Sequence, residues 1–368
     1  MALQHLAPPK SPPDLTIPSS DVTVTVSCID TTSRLKLPMS LMLQPDYVGH
    51  PELTGPSLCF LLDHPSGKKI LFDLGVRYDW QRLPSFPKFR ENAWGIMVQK
   101  DTARILQENK IDVANGAISS IVLSHHHWDH AGDPSTFPSS TELVVGPGFM
   151  ETHLPGYPAN PKATLLQTDH EGREIREPAF SDAFKIGRFQ AHDFFGDGSF
   201  YLLSTPGHSV GHLCALARTT ASPPTFIFLA GDASHHAAEF RPTEYLPLPA
   251  LVPANGTGED FRNVHAEQSA VKPFYNVTAG FAHSKELADW TIAGLGEFDC
   301  QENVLLLTAH DEHILDEQAG MEFFPAPLND WLEKGLAERV KWLFLGDFEG
   351  ALRRREEGGE AFTWGVYP

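Results

Sequence analysis

Between residues 124 and 130 the chain runs Ser-His-His-His-Trp-Asp-His, which packs four candidate metal ligands, His125, His127, Asp129 and His130, into six residues. An apolar run, Ile118 to Leu123, leads directly into this cluster. The run is expected to be a buried strand, so the cluster falls where a strand gives way to a loop. Side chains alternate along extended backbone, so His125 and His127 aim the same way, while Asp129 and His130 turn toward a neighbouring position. Two adjacent metal ions fit this arrangement. An internal, strand-flanked HxHxDH has no packing reason to exist, which separates it from a chance surface cluster of histidines.

Three later segments repeat the pattern of an apolar strand-like run followed by a turn and a ligand-type residue. Phe200–Ser204 leads to Thr-Pro-Gly-His208, Thr225–Ala230 leads to Gly231-Asp232, and Asn303–Thr308 leads to Ala309-His310. Functional groups gather at strand ends, where rigid strands hold variable loops. Each run therefore brings one ligand to a common sheet edge.

In this order, HxHxDH (125–130), His208 within TPGHSVGH (205–212), Asp232 within LAGD (229–232) and His310, the chain resembles the metallo-β-lactamase superfamily over roughly residues 21–312. The strand-turn ILFDLG (70–75) also matches, with Asp73 where the family usually has an aspartate beneath the metal site. The resemblance implies an α/β fold, an αβ/βα sandwich of two mixed sheets with helices outside and the metals at one edge. It also implies that His125, His127 and His208 hold a first metal, that Asp129, His130 and His310 hold a second, and that Asp232 bridges them. His212 then stands beside the site without being a ligand. Two Zn2+ suit a donor set of nitrogen and oxygen, and iron or manganese share that preference.

The chemistry expected of such a centre is hydrolysis. Metal-bound water ionises with a pKa of roughly 7, giving a bridging hydroxide that attacks an acyl carbon while Asp129 carries the proton to the leaving group. The metal set resembles most closely that of the N-acyl homoserine lactonases. In that subgroup a tyrosine commonly stands three residues after the bridging aspartate; here the position is His235, a candidate substrate contact. The expected activity is a zinc-dependent opening of a small lactone or a related cyclic ester or lactam. A hydroxyacyl-thioester hydrolase and an iron-dependent, persulfide dioxygenase-like oxidoreductase of the same fold are the alternatives.

Composition narrows the partners. The net charge of −19 excludes a phosphate-tracking surface, and the one dense basic run, Arg353 to Arg355, is followed at once by Glu356 and Glu357, as on a solvated helix face. No apolar run has membrane-spanning length, and 41% hydrophobic content supports a large core. Cys28, Cys59, Cys214 and Cys300 are scattered, as reduced core residues are. Residues 1–20 carry five prolines and no signal-peptide core, so they are expected to form a flexible or strapping tail on a cytoplasmic protein. The substrate is expected to be a small, partly apolar molecule.

Residues 21–368 are expected to form one domain. Strands are expected at 21–29, 57–62, 69–73, 142–145, 187–192, 200–204, 212–217, 225–230 and 303–308. Helices are expected over about 98–109 and from a Ser284 cap to about Leu295, with a closing helix and its exit over Leu328 to Phe344. Two stretches exceed what the sandwich needs, 76–97 with its aromatics and 236–281 with its prolines. Loops this long are expected to be lids or pocket walls, or to cover the core or a homodimer contact. Leu37 to Leu43 is a third candidate wall.

Overall fold

Side chains alternate between the two faces of each apolar strand, and the strands are buried almost throughout, so both faces of both sheets are covered. The computed structural model describes residues 4–92 and 94–365. Its first sheet has six strands in sequence order, β1 (Thr25–Ile29), β2 (Cys59–Asp63), β3 (Lys69–Phe72), β4 (Ser120–Val122), β5 (Glu142–Val144) and β6 (Ile175–Arg176). The second also has six in sequence order, β7 (Lys185–Ile186), β8 (Phe189–Asp193), β9 (Phe200–Ser204), β10 (Leu213–Ala221), β11 (Pro224–Leu229) and β12 (Val304–Leu307). Phe60 and Leu62 of β2 join Phe200 and Leu202 of β9 in the core between the sheets. Their neighbours Cys59 and Leu61 point outward to the helix Thr102–Glu108, and Tyr201 and Leu203 face outward toward the core shared with the helix Lys285–Asp299. Two six-stranded sheets face to face with helices outside make the αβ/βα sandwich expected from the sequence.

Parallel pairing brings the site together. β3 and β4 run parallel, with Phe72 opposite Val122, so the residues after them, Asp73 and Ser124, emerge at one edge. β11 and β12 are also parallel, with Leu229 opposite Leu307, which sets the Asp232 turn beside that of His310. Two backbone bonds stitch the sheets there, Leu213 N–H to Ser124 O at 2.8 Å and Leu58 N–H to Ala309 O at 3.0 Å.

Ser284 caps its helix as expected, its Oγ accepting from the Leu287 N–H. The helix expected over 98–109 is shorter, Thr102–Glu108, and Val98 lies before it; the buried face is Thr102, Ala103 and Leu106. Of the closing helix and exit expected over 328–344, only Leu336–Val340 is α-helical, followed by a 3-10 segment Leu343–Phe348; the helix Glu349–Glu356 beyond it carries Arg353 to Arg355 on an exposed face, as expected. The reason is packing. Leu328, Trp331, Leu336 and Val340 enter the core between the sheets, while Trp342, Phe344, Leu345 and Phe348 enter the outer one, and one straight helix cannot serve both. Gly335, with φ +63°, supplies the break before the first helix.

The N-terminal segment is a strap: Leu6 N–H donates to Leu248 O, Lys10 N–H to Glu244 O and Gly187 N–H to Leu15 O. The stretch 236–281 is mostly core and not a lid. Phe240, Leu248, Phe261, Phe274 and Tyr275 are buried in the outer core, and Arg241 makes a buried pair with Asp299 at 2.6 and 2.8 Å. Deleting about 240–275 removes several large core side chains, each costing about 3–5 kcal/mol when cut to Ala, against a total stability of about 5–15 kcal/mol. The truncated chain is therefore expected to lack a cooperative melt, and circular dichroism on heating checks this. Met39, Met42 and Leu43 of the third candidate wall are core residues as well. The 76–97 stretch differs. Trp80, Leu83, Phe89 and Trp94 cluster with Trp128, directly beside the histidine-rich loop.

Candidate metal centre

The loop after β4 turns into a short helix, Trp128–Ala131, with Asp129 and His130 in it and His127 at its N-terminus. His125 and His127 lie against His208, whose Nε2 is 3.1 Å from His125 Nε2 and 2.9 Å from His127 Nδ1. His130 and His310 bring their Nε2 atoms to 3.3 Å of each other. Asp232 stands between the two clusters with one oxygen for each. Its Oδ1 is 2.9 Å from His130 Nε2 and 3.0 Å from His310 Nε2, and its Oδ2 is 3.6 Å from His125 Nε2 and 3.5 Å from His208 Nε2. Asp129 Oδ2 completes the second cluster, 3.6 Å from His310 Nε2. All seven sequence-derived candidates converge, as His125, His127, His208 and Asp232 on one side and Asp129, His130, His310 and Asp232 on the other.

Local structure explains why these side chains stay put. Asp73, at φ +62°, accepts from Ser124 N–H at 2.7 Å and Ser124 Oγ at 2.8 Å, and meets His130 Nδ1 at 2.9 Å. His310 Nδ1 donates to Pro56 O at 2.7 Å. His212 is not among the converging donors: its Nδ1 meets Thr205 Oγ1 and its Nε2 accepts from the Asp232 N–H at 3.2 Å. It holds the backbone that presents Asp232. Gly231 has φ +52°, and a Cβ there would lie 2.9 Å from Ser124 Cβ, so the glycine of LAGD lets the two ligand-bearing turns touch.

Among curated relatives, the gamma-lactamase FDB1 of Fusarium pseudograminearum (strain CS3096) is 42% identical over 357 residues, covering 92% of this chain and 85% of its own. The metallo-hydrolase mfmC of Annulohypoxylon moriforme is 41% identical, covering 94% of this chain and 92% of its own. A family model for the metallo-beta-lactamase superfamily matches residues 53–222. The chain belongs to the metallo-beta-lactamase superfamily. The matched span stops short of Asp232 and His310, yet the sheet pairing delivers both to the same edge. The cytochrome P450 monooxygenase mpaDE of Penicillium roqueforti (strain FM164) is 41% identical over 94% of this chain but only 40% of its own length. A solved structure of a mutant of AiiA from B. thuringiensis, with N-decanoyl-L-homoserine at its active site, superposes with a TM-score of 0.54 at 18% identity, over 84% of this chain and all of that one. At that identity the likeness is one of fold. The chain is thus a metallo-hydrolase of this superfamily, and no described helix is long and apolar enough to cross a membrane.

Fold and donor set imply divalent metal, and proton counting tests the fit. Pro56 O can only accept, so His310 Nδ1 carries a proton and its Nε2 a lone pair. Asp73 takes the Nδ1 proton of His130 in the same way. Two lone pairs 3.3 Å apart repel each other and suit a shared cation. Burial pushes the His125 and His208 rings well below the usual imidazole range, keeping them neutral and able to ligate. At His130 and His310 burial is outweighed by the Asp232 carboxylate, which raises both rings as they lower it in turn, so the field that draws a proton to these nitrogens would equally draw a cation.

His235 lies at this centre with its Nε2 buried, without a hydrogen-bond partner and 3.4 Å from Asp232 Oδ2. Its ring is held between His208, at 4.9 Å, and Phe281, at 5.0 Å. Phe281, the last residue of the long insertion, is a neighbour that sequence reasoning did not assign. Glu239 is another. Its buried Oε1 accepts from His235 N–H at 2.6 Å, His236 N–H at 3.0 Å and Ser234 Oγ at 3.1 Å, fixing the turn that carries His235. A His-His followed three residues later by Glu is the capping-box spacing that could have revealed it.

Proposed function

We propose that this chain is a dinuclear metal-dependent hydrolase that opens a small cyclic acyl compound, a γ-lactam or the corresponding lactone. The observation that carries the reading is the Asp232 carboxylate split between two donor clusters, with the partnerless His235 Nε2 at 3.4 Å from it. The gamma-lactamase name of the 42% identical relative supports the lactam side of the choice. Zinc fits the nitrogen and oxygen donors, with iron or manganese as substitutes.

Two divalent cations supply, when bound, hydroxide from water near neutral pH and polarisation of the acyl oxygen. The protein residues do the rest. His235 points its free ring nitrogen at the centre and donates a hydrogen bond to the oxygen that gains charge, while Phe281 and His208 keep the ring from turning away. Asp129 takes up a proton and passes it to the departing nitrogen or oxygen. His212 and Glu239 hold the turn between them, so neither ring nor carboxylate has to reorganise as charge develops.

A cleft of about 760 Å³ fits the body of such a substrate. Leu35, Trp94, Ile96 and Met97 give it apolar walls. None of the seven donors lines it, but it lies next to the centre: Trp94 stacks on Trp128 at 6.3 Å beside Asp129, and Gly55 packs against the His310 backbone. Its cations are already paired, Arg34 with Asp30 and Lys36 with Glu52, which favours an uncharged, partly apolar substrate. The test is a panel of γ-lactams, each offered beside its lactone and open-chain ester, with products weighed by mass spectrometry. Addition of one water to a lactam or lactone is the expected result, abolished by chelator and restored by metal. Turnover of open-chain esters or thioesters alone would overturn the reading.

A further inference from the structure

The turn after Asp232 and the turn after His310 both run onto one carboxylate that belongs to neither. Asp347, in the 3-10 segment Leu343–Phe348, meets His236 Nε2 with Oδ2 at 2.9 Å and His313 Nε2 with Oδ1 at 3.2 Å. His236 is four residues past Asp232, and His313 is three past His310. We infer that Asp347 is a positioning residue for the second metal site, a clamp from the C-terminal segment that fixes the distance between His310 and Asp232. The inference rests on the two-metal reading above.

Asp347 lies close enough to hold an ion with His50 and His236, or with Glu312 and His313, and the protons decide against both. His236 Nδ1 accepts from the Ala238 N–H at 3.1 Å, so the neutral ring carries its proton on Nε2 and has no lone pair there. That proton goes to Asp347. His313 Nδ1 meets Asp311 Oδ1 at 3.2 Å, and its Nε2 meets Asp347, which makes it a doubly protonated imidazolium between two carboxylates. Burial works against that charge, but the bonds to Asp311 and Asp347 raise the ring to about 11. Every donor and acceptor in the chain of bonds is then satisfied without a cation. The result is a bridge of matched charges between two ligand-bearing turns.

The bridge touches one metal cluster more than the other. Asp232 and His310 both belong to the second cluster, whereas His125, His127 and His208 come from turns that Asp347 does not reach. Asp347→Asn keeps the size but accepts from only one imidazole through its oxygen, so one of the two turns is released. Removing a residue that supports a metal ligand lowers metal affinity by about 10- to 100-fold. Metal analysis and titration of the apoprotein against a competing chelator, with Zn2+ as probe, are expected to give two ions per wild-type chain. Asp347→Asn is expected to keep one and to bind the second about 10- to 100-fold more weakly. His313→Gln, which frees the other arm, is expected to do the same and serves as the test if Asp347→Asn does not fold. Phe298→Leu, in the core against Phe189 and Phe228, is the control: it lowers Tm and keeps both ions. Wild-type affinity at both sites in the two clamp variants overturns the clamp, as does parallel loss of both ions in step with Tm. A wild-type chain that takes up only one ion overturns the two-metal reading, and the clamp falls with it.

Discussion

An Asp232→Ala variant is expected to fold, to hold at most one metal ion per chain, and to lose nearly all turnover. Among the described residues Asp232 is the one side chain shared by both donor clusters, with Oδ1 at 2.9 and 3.0 Å from the second and Oδ2 at 3.5 and 3.6 Å from the first. Removing a group that merely supports a ligand costs about 10- to 100-fold in affinity or activity, so losing the shared ligand itself costs more. The fold survives because the backbone of the turn keeps its bonds, Asp232 N–H to His212 and Ala230 N–H to Leu307 O. Metal content and kcat on the purified variant check the expectation. Two retained ions with full turnover would show that Asp232 bridges nothing.

His235→Phe is expected to lower kcat by about 100- to 1000-fold, the usual cost of losing one oxyanion donor, with metal content unchanged. Phe keeps the flat ring between His208 and Phe281 and removes the nitrogen that points at Asp232. Tyr restores a donor at greater reach and is expected to recover part of the loss. Steady-state kinetics on both variants decide the matter; equal kcat in Phe, Tyr and parent proteins leaves His235 as packing alone.

The metal centre was more legible in the sequence than the rest of the molecule. Metal ligands need rare residue types at strand ends, so SHHHWDH, TPGH and LAGD each betrayed a position, and strand pairing then brought them together. Apolar strands declared themselves for a similar reason: ten residues or fewer, bounded by turns, with both faces buried. The C-terminal segment did not. Its apolar residues divide between two separate cores, a choice made by the docked sheets and not by local periodicity, so the expected closing helix is cut to Leu336–Val340 and a 3-10 segment. The insertion 236–281 misled for the opposite reason. Prolines and length suggested a mobile cover, while Phe240, Phe261, Phe274 and Tyr275 were committed to burial. Asp347 gave no signal, because a single aspartate among phenylalanines acquires meaning only when His236 and His313 arrive beside it.

The two sheets are each built from an unbroken length of chain, residues 25–176 and 185–307, with a single passage between them. Four of the seven converging donors come from the first length, two from the second, and His310 from the turn that follows its last strand. Neither length by itself carries either donor cluster in full. Activity begins only when the seam between the halves closes in correct register, so turnover in this protein is an all-or-none readout of tertiary docking: a chain with native secondary structure but a misaligned seam is silent.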